Sequence, residues 1–179
     1  NDRPIGQNLV VAVLSYESYN MEDAVIINKA AVDRVILRSL FFRTYTAEIR
    51  RYAGGLEDRL GIPSPDVKNY AGEHMYRHLD EDGLARIGAK IKKNEVIVGR
   101  TSPPRFMEEF RRITLGPLKR RDSSIVLEQF SAYIDRIVLT VGKEGELLVY
   151  VKAREDRIPE LGDKLASRHG QKGVIGLLS

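Results

Sequence analysis

Two runs rich in β-branched and aliphatic residues, 132–141 and 147–153, flank the corner Gly142-Lys143-Glu144-Gly145. An antiparallel hairpin is what such a pair forms, and a chain carrying it is committed to building a sheet. Other segments point the same way. Residues 9–14 are almost continuously apolar and rich in Val, the pattern of a strand buried on both faces. Residues 24–27 and 40–49 read as further strands, and Asn28 is placed to cap a short helix over 29–34. Gly54, Gly55, Gly61, Pro63 and Pro65 then signal a long loop. Over 82–101 two short alternating runs, with Gly88 and a Lys-Asn corner between them, predict a second hairpin. No repeat recurs at a fixed period. The expected fold class is mostly β, barrel-like, with short helices in the crossings.

Composition narrows the functional classes. At 179 residues the chain is long enough to bury its own core, and with 42% hydrophobic and 30% charged residues it is neither disordered nor collagen-like. Cysteine is absent, which excludes a disulfide framework, a thiolate metal site and a cysteine nucleophile, and fits a reducing compartment. The apolar runs fall far short of the roughly 20 residues that span a bilayer. The opening Asn1-Asp2-Arg3-Pro4 lacks the charged-then-apolar pattern of a signal peptide, and the chain reads as an excised piece of a larger subunit. Residues 41–121 carry 17 basic against 11 acidic side chains, while each flank is one charge negative. A basic middle is compatible with a polyanionic partner or with a plain solvated surface.

Two stretches carry candidate chemistry. Glu22 and Asp23 lie between a tyrosine-bearing turn and an apolar run. Adjacent carboxylates point to different sides of an extended chain, so both reach one hard cation such as Mg2+ only from a turn. The same pair also suits a solvated acidic turn or a helix N-terminus. Residues 162–173, G-D-K-L-A-S-R-H-G-Q-K-G, hold three glycines and three cations with no carboxylate after Asp163. Backbone there can approach an anion closely while Lys164, Arg168 and Lys172 neutralise it, a phosphate cradle in outline, although a Gly-rich surface turn has the same composition. It is not a P-loop, since Gln171 displaces the lysine and Gly173 follows it. Ser167 and His169 lack an orienting carboxylate and a nucleophile elbow, so hydrolase chemistry is not expected. His74 and His78 have a metal-compatible spacing if helical, but with Asp80, Glu81 and Asp82 they read as a solvated face.

The stretch G-Q-N-L-V-V-A-V-L-S-Y-E-S-Y-N-M-E-D-A-V-I-I-N-K over 6–29, with I-P-E-L-G-D-K-L-A-S-R-H-G-Q-K-G-V over 158–174, resembles the second-largest (β-like) subunit of the multisubunit DNA-dependent RNA polymerases. R-S-L-F-F-R at 38–43, the turn at Glu81 to Leu84 and the basic-to-acidic step at Arg120 to Asp122 resemble it too, so the likeness covers essentially the whole chain. Gln171 and Tyr16 favour an archaeal or eukaryotic form over a bacterial one.

The resemblance implies a double-psi β-barrel, the hybrid-binding region, formed from residues 1–38 and 153–179, with a β-rich wall or flap inserted over 39–152. It implies a part in DNA-directed RNA polymerase, a nucleotidyltransferase using two Mg2+ ions, the permanent one held by an aspartate triad of the largest subunit that this sequence lacks. Lys164 and Lys172 would then contact phosphates at the RNA 3′ end and the incoming nucleotide, with Arg168 beside them. Glu22 and Asp23 would lie next to the second, nucleotide-borne Mg2+. The implied partners are the other polymerase subunits, template DNA, the RNA–DNA hybrid and nucleoside triphosphates, in a cytoplasmic setting, and the isolated fragment would be inactive. A stand-alone, non-catalytic nucleic-acid-binding β-module is the alternative; it calls for aromatic residues spread over one sheet face, whereas Tyr16 and Tyr19 cluster in one turn.

Overall fold

The expected long hairpin is present as β9 (Ser131–Val141) and β10 (Leu147–Arg157), closed by a turn in which the Gly142 N–H donates to the Glu146 carbonyl at 2.8 Å. The computed structural model describes residues 4–104 and 119–179. Asn1 to Arg3, part of the opening read above, and 105–118, within the expected insertion, lie outside them. The fold class is mostly β, with 42% strand against 7% helix. They form two compact units: residues up to Phe41 together with Asp156–Ser179, and Phe42–Glu155. The chain leaves the first unit within β2 (Ser39–Ile49) and returns to it within β10.

In the first unit, β1 (Ala24–Ile27) runs parallel to β12 (Lys172–Leu178), and β11 (Lys164–Ala166) pairs antiparallel on the other side of β12. Asn28 caps helix α1 (Lys29–Asp33) as expected, its side-chain oxygen accepting from the Ala31 N–H. Ile27, Val32 and Ile175 form the core of this unit, with Val25, Leu37 and Leu165 packed against it.

The second unit has the larger core. Its main sheet runs β2-β10-β9-β4, with β4 at Lys90–Lys92, and buries Ile91, Ile134, Val149 and Val151 on one face. β3 (Arg59–Leu60), β6 (Arg100–Ser102) and β7 (Arg121–Asp122) form a second sheet, and β5 (Val96–Val98) pairs with β8 (Ile125–Val126).

Three sequence expectations need correction. Residues 9–14 do not form a strand: Val10 is 105% and Val13 99% exposed, because no strand among the described residues offers them a ladder. An apolar run encodes a demand for cover, and here that demand is unmet. Residues 82–101 do turn at Asn94, which adopts φ 69°, yet the flanking strands part company, β4 joining β9 and β5 joining β8. Val96, Ile97 and Val98 are all buried, so β5 needs cover on both faces, which a two-stranded hairpin cannot supply. Finally, His78 is not on a solvated face. The 3-10 turn Glu73–Tyr76 ends before it, and its Nε2 lies 3.3 Å from the buried carboxylate of Glu95, which Arg77 also engages.

Burial pushes the His78 pKa below its ordinary value, against the opposing pull of Glu95. Unfolding returns the ring to about 6.5, so the unfolded chain binds a proton first as pH falls. Stability is therefore fully present above that pH and is expected to decline below it, towards the lower folded value. Urea midpoints measured on either side of pH about 6.5 should differ less in His78→Gln than in the native chain; an equal difference would remove His78 from the account.

Candidate functional site

Lysines 164 and 172 are brought together by strand register. Lys164 stands opposite Val174 and Ala166 opposite Lys172 in the β11–β12 ladder, so all four share one face. Lys164 and Lys172 are then diagonal neighbours, a relation that in an antiparallel pair keeps residues roughly 7–8 Å apart and long side chains within reach of one another. The alternate residues Leu165, Gly173 and Ile175 face the other way, where Leu165 and Ile175 join the core. Both lysines are exposed. Alternation in two short strands thus separates an anchoring face from a cationic one.

The connection between the strands is a tight turn held by Ser167. Its N–H donates to the Gln171 carbonyl at 2.8 Å, and its Oγ accepts from the N–H groups of His169 and Gln171 at 3.2 and 3.3 Å. The serine is committed to backbone geometry, and the His169 imidazole has no part in it. Arg168 is exposed in this turn, off the ladder that carries the lysines. Residues 162–173 are therefore a short hairpin rather than an open loop.

Glu22 and Asp23 close a compact turn that the other edge of β12 receives. Asn20 organises it: its Oδ1 accepts from the Tyr16 N–H at 3.0 Å and its Nδ2 donates to the Leu14 carbonyl at 2.6 Å. Glu17, Ser18 and Glu22 adopt φ of 46°, 67° and 56°, strained for residues with a Cβ and sustained only where surroundings fix the chain. The Val174 N–H then donates to the Asp23 carbonyl at 2.8 Å. Two glycines allow this approach: a Cβ at Gly173 would lie 2.9 Å from the Asp23 carbonyl oxygen, and one at Gly176 would lie 2.6 Å from that of Tyr19. Sequence reasoning does not single out Asn20 or Gly176, and it assigns Gly173 to an anion cradle rather than to this strand contact, although glycine inside an apolar strand is itself a signal of close backbone approach.

Among the described residues no group of three or more His, Asp or Glu side chains is arranged to hold a metal ion. Two exposed carboxylates fit a magnesium ion carried on a triphosphate, which takes one or two protein carboxylates beside phosphate and water oxygens; they do not make a resident site. His74 and His78 gather no such group either.

The description "RNA polymerase Rpb2, domain 6" matches residues 1–179. The chain belongs to this family. DNA-directed RNA polymerase subunit Rpo2 of Sulfolobus acidocaldarius is 43% identical over 99% of the chain, and DNA-directed RNA polymerase II subunit RPB2 of Schizosaccharomyces pombe is 38% identical over 97%. Subunit 2 of the Arabidopsis thaliana polymerase II is 37% identical over 97%. The chain spans 16%, 14% and 15% of those relatives' lengths. As a domain 6 chain it is a fragment-sized match to a second-largest polymerase subunit, with archaeal and eukaryotic relatives of the kind Gln171 and Tyr16 suggested. Among its described residues no helix is long and apolar enough to cross a membrane.

Gly173→Ala should force the Asp23 carbonyl off β12, since the nearest obstacle is backbone and cannot rotate away. A loss of about 1–3 kcal/mol is expected, read from the urea midpoint, with faster hydrogen exchange at the Val174 amide. Native exchange at Val174 would mean that the acidic turn does not depend on this glycine.

Proposed function

We propose that the chain forms part of the active centre of a DNA-directed RNA polymerase, presenting Lys164 and Lys172 to phosphates of the RNA 3′ end and the incoming nucleotide. The observation that carries this reading is the shared exposed face of the two lysines on the β11–β12 ladder, with the Glu22–Asp23 turn received by the other edge of β12. Phosphoryl transfer asks a protein mainly for positioned positive charge, because negative charge spreads over the transferring oxygens as the bond to the leaving group breaks. Two ammonium groups on a hairpin whose reverse face is anchored in a core meet that need. Arg168 in the turn adds a third cation within reach of the same polyanion.

In this reading Glu22 and Asp23 stand beside the Mg2+ ion that arrives with the triphosphate, contacting it through water. The ion supplies charge neutralisation of the phosphates when bound. The fold of the first unit belongs to a double-psi β-barrel, and the basic stretch 41–121 lines the channel of the RNA–DNA hybrid through phosphate contacts that read no sequence. The largest subunit and its companions complete the enzyme, so this chain alone is inactive, and its setting is the cytoplasm. A stand-alone nucleic-acid module is less well supported. The Phe42 ring lies under the Lys152 ammonium, and Tyr133 lies between Lys90 and Arg154, so rings on this sheet are already engaged by cations.

Lys164→Ala or Lys172→Ala, placed in the assembled polymerase, should slow single-nucleotide extension on a preformed hybrid by about tenfold or more, as expected for losing one charge-assisted phosphate contact. Arginine at either position should recover part of the rate, because a planar guanidinium does not put its charge where the ammonium was. Melting temperatures of the variants should match the parent, since both side chains are exposed. Unchanged extension in both alanine variants would overturn the reading.

A further inference from the structure

The second unit contains a polar cleft of about 400 Å3, independent of the lysine hairpin. Its walls follow from strand period. Ser102 stands opposite Arg121 in the β6–β7 ladder, so Arg100 and Ser123, each two residues away, project on the same side, and all four line the cleft. Glu48 and Arg50, alternate residues of β2 and its continuation, line the cleft as well, together with Asp58.

Charge pairing in this cleft is incomplete. Glu48 accepts from Arg50 Nε at 2.9 Å. Asp58, 3% exposed, accepts from the Tyr52 hydroxyl at 3.2 Å and the Arg50 backbone N–H at 3.2 Å. Both lining carboxylates are therefore engaged on their own side. Arg100 donates Nη1 to the Glu48 carbonyl at 2.7 Å and Nε to Ser123 at 3.1 Å, contacts that hold the guanidinium without neutralising it. Arg121 makes no side-chain hydrogen bond or ion pair with the described residues, although its Nε is buried. The hydroxyls of Ser102 and Ser123 lie 2.7 Å apart, and Ser123 Oγ also donates to the Arg100 carbonyl at 3.3 Å, a long contact that a charged acceptor entering the cleft would displace.

An unpaired guanidinium with a buried Nε is costly unless something completes it. We propose that the cleft binds a phosphoryl oxyanion, taken in the fork of Arg121 and supported by the charge of Arg100 and a serine hydroxyl. Guanidinium presents parallel N–H donors that match two oxygens of a phosphate, and a tetrahedral anion leaves further oxygens for the hydroxyl. The phosphoryl group comes either as a free phosphate or as a backbone phosphate of nucleic acid. This assignment is independent of the lysine hairpin and the acidic turn, none of whose residues it uses, and it deepens the reading of the basic stretch 41–121, to which Arg100 and Arg121 belong.

The test is titration of the full chain with inorganic phosphate, against chloride at equal ionic strength, following the Arg121 Nε–H resonance and the melting temperature. Phosphate should shift that resonance and raise the melting temperature. Arg121→Ala should weaken phosphate binding about tenfold or more, and Arg121→Lys should restore part of it. Arg121 has no side-chain partner among the described residues to lose, so the alanine variant should melt near the parent in chloride. A short single-stranded oligonucleotide without terminal phosphates that competes at the same resonance would identify a backbone phosphate, and phosphate acting where the oligonucleotide does not would identify a free one. Equal phosphate affinity in the parent and Arg121→Ala, or no movement of the Arg121 resonance with either probe, would overturn the assignment.

Discussion

Everything proposed for the first unit depends on one parallel pairing, β1 against β12, which joins residues 24–27 to 174–178 across most of the chain's length. Parallel strands so far apart in sequence bring a large loop-closure cost before any contact rewards it. The reward here is compact. Val25, Ile27 and Ile175 meet on the core side, and the pairing extends past β12 as the Ser179 N–H donates to the Ile27 carbonyl at 3.0 Å and the Lys29 N–H to the Ser179 carbonyl at 2.6 Å. Because β11 pairs with the same β12, the hairpin lysines and the acidic turn are referred to one strand. Their mutual placement is then set by register, which a slip of one residue would invert.

The second unit solves a different problem, packing short strands that have little ladder of their own. Three glycines nest backbone on backbone: the Gly61 N–H donates to Gly99 at 3.0 Å and the Gly99 N–H to Gly83 at 2.7 Å, and a Cβ at Gly83 or Gly99 would lie 2.5 Å from a Gly61 backbone atom. Side chains then bridge what backbone cannot. Tyr76 donates from its hydroxyl to Asp122 at 2.5 Å, and burial together with that bond raises its pKa to about 12, so the phenol stays protonated and available as a donor. Arg100 reaches from β6 to the Glu48 carbonyl of β2, so the cleft and the scaffold share a wall.

Local signals were legible in the sequence where local physics decides the outcome. The β9–β10 hairpin, the Asn28 cap and the strand at Ser39–Ile49 each follow from residues within a few positions of one another. Misreadings arose where a distant partner decides. The apolar composition of residues 9–14 records burial without saying by what, and the Asn94 turn was visible while the divergence of β4 and β5 was not, since it depends on β8 and β9 some thirty to forty residues later. At the candidate site, the residue types were readable and the geometry was not. Nothing in the spelling of Lys164 and Lys172 puts them on one face until the turn held by Ser167 fixes the register between them.

The two cationic constellations differ in a way that suits different ligands. Lysine places a compact, strongly hydrated charge on a flexible stem, and on an exposed hairpin face it can follow a phosphate whose charge changes during reaction without imposing one geometry. Arg100 is fixed by three acceptors, and Arg121 lines the same walled cleft on strand β7. Arg100 suits an anion that stays where it is put, because its orientation is set before the ligand arrives and little rotamer freedom remains to be lost. Under the two proposals, the exposed lysine hairpin suits a ligand that turns over and the arginine cleft one that stays bound. Both constellations arise because strand alternation lets a short ladder turn alternate residues to opposite sides, Leu165 inward from Lys164 in one case and Arg100 with Ser102 into the cleft in the other.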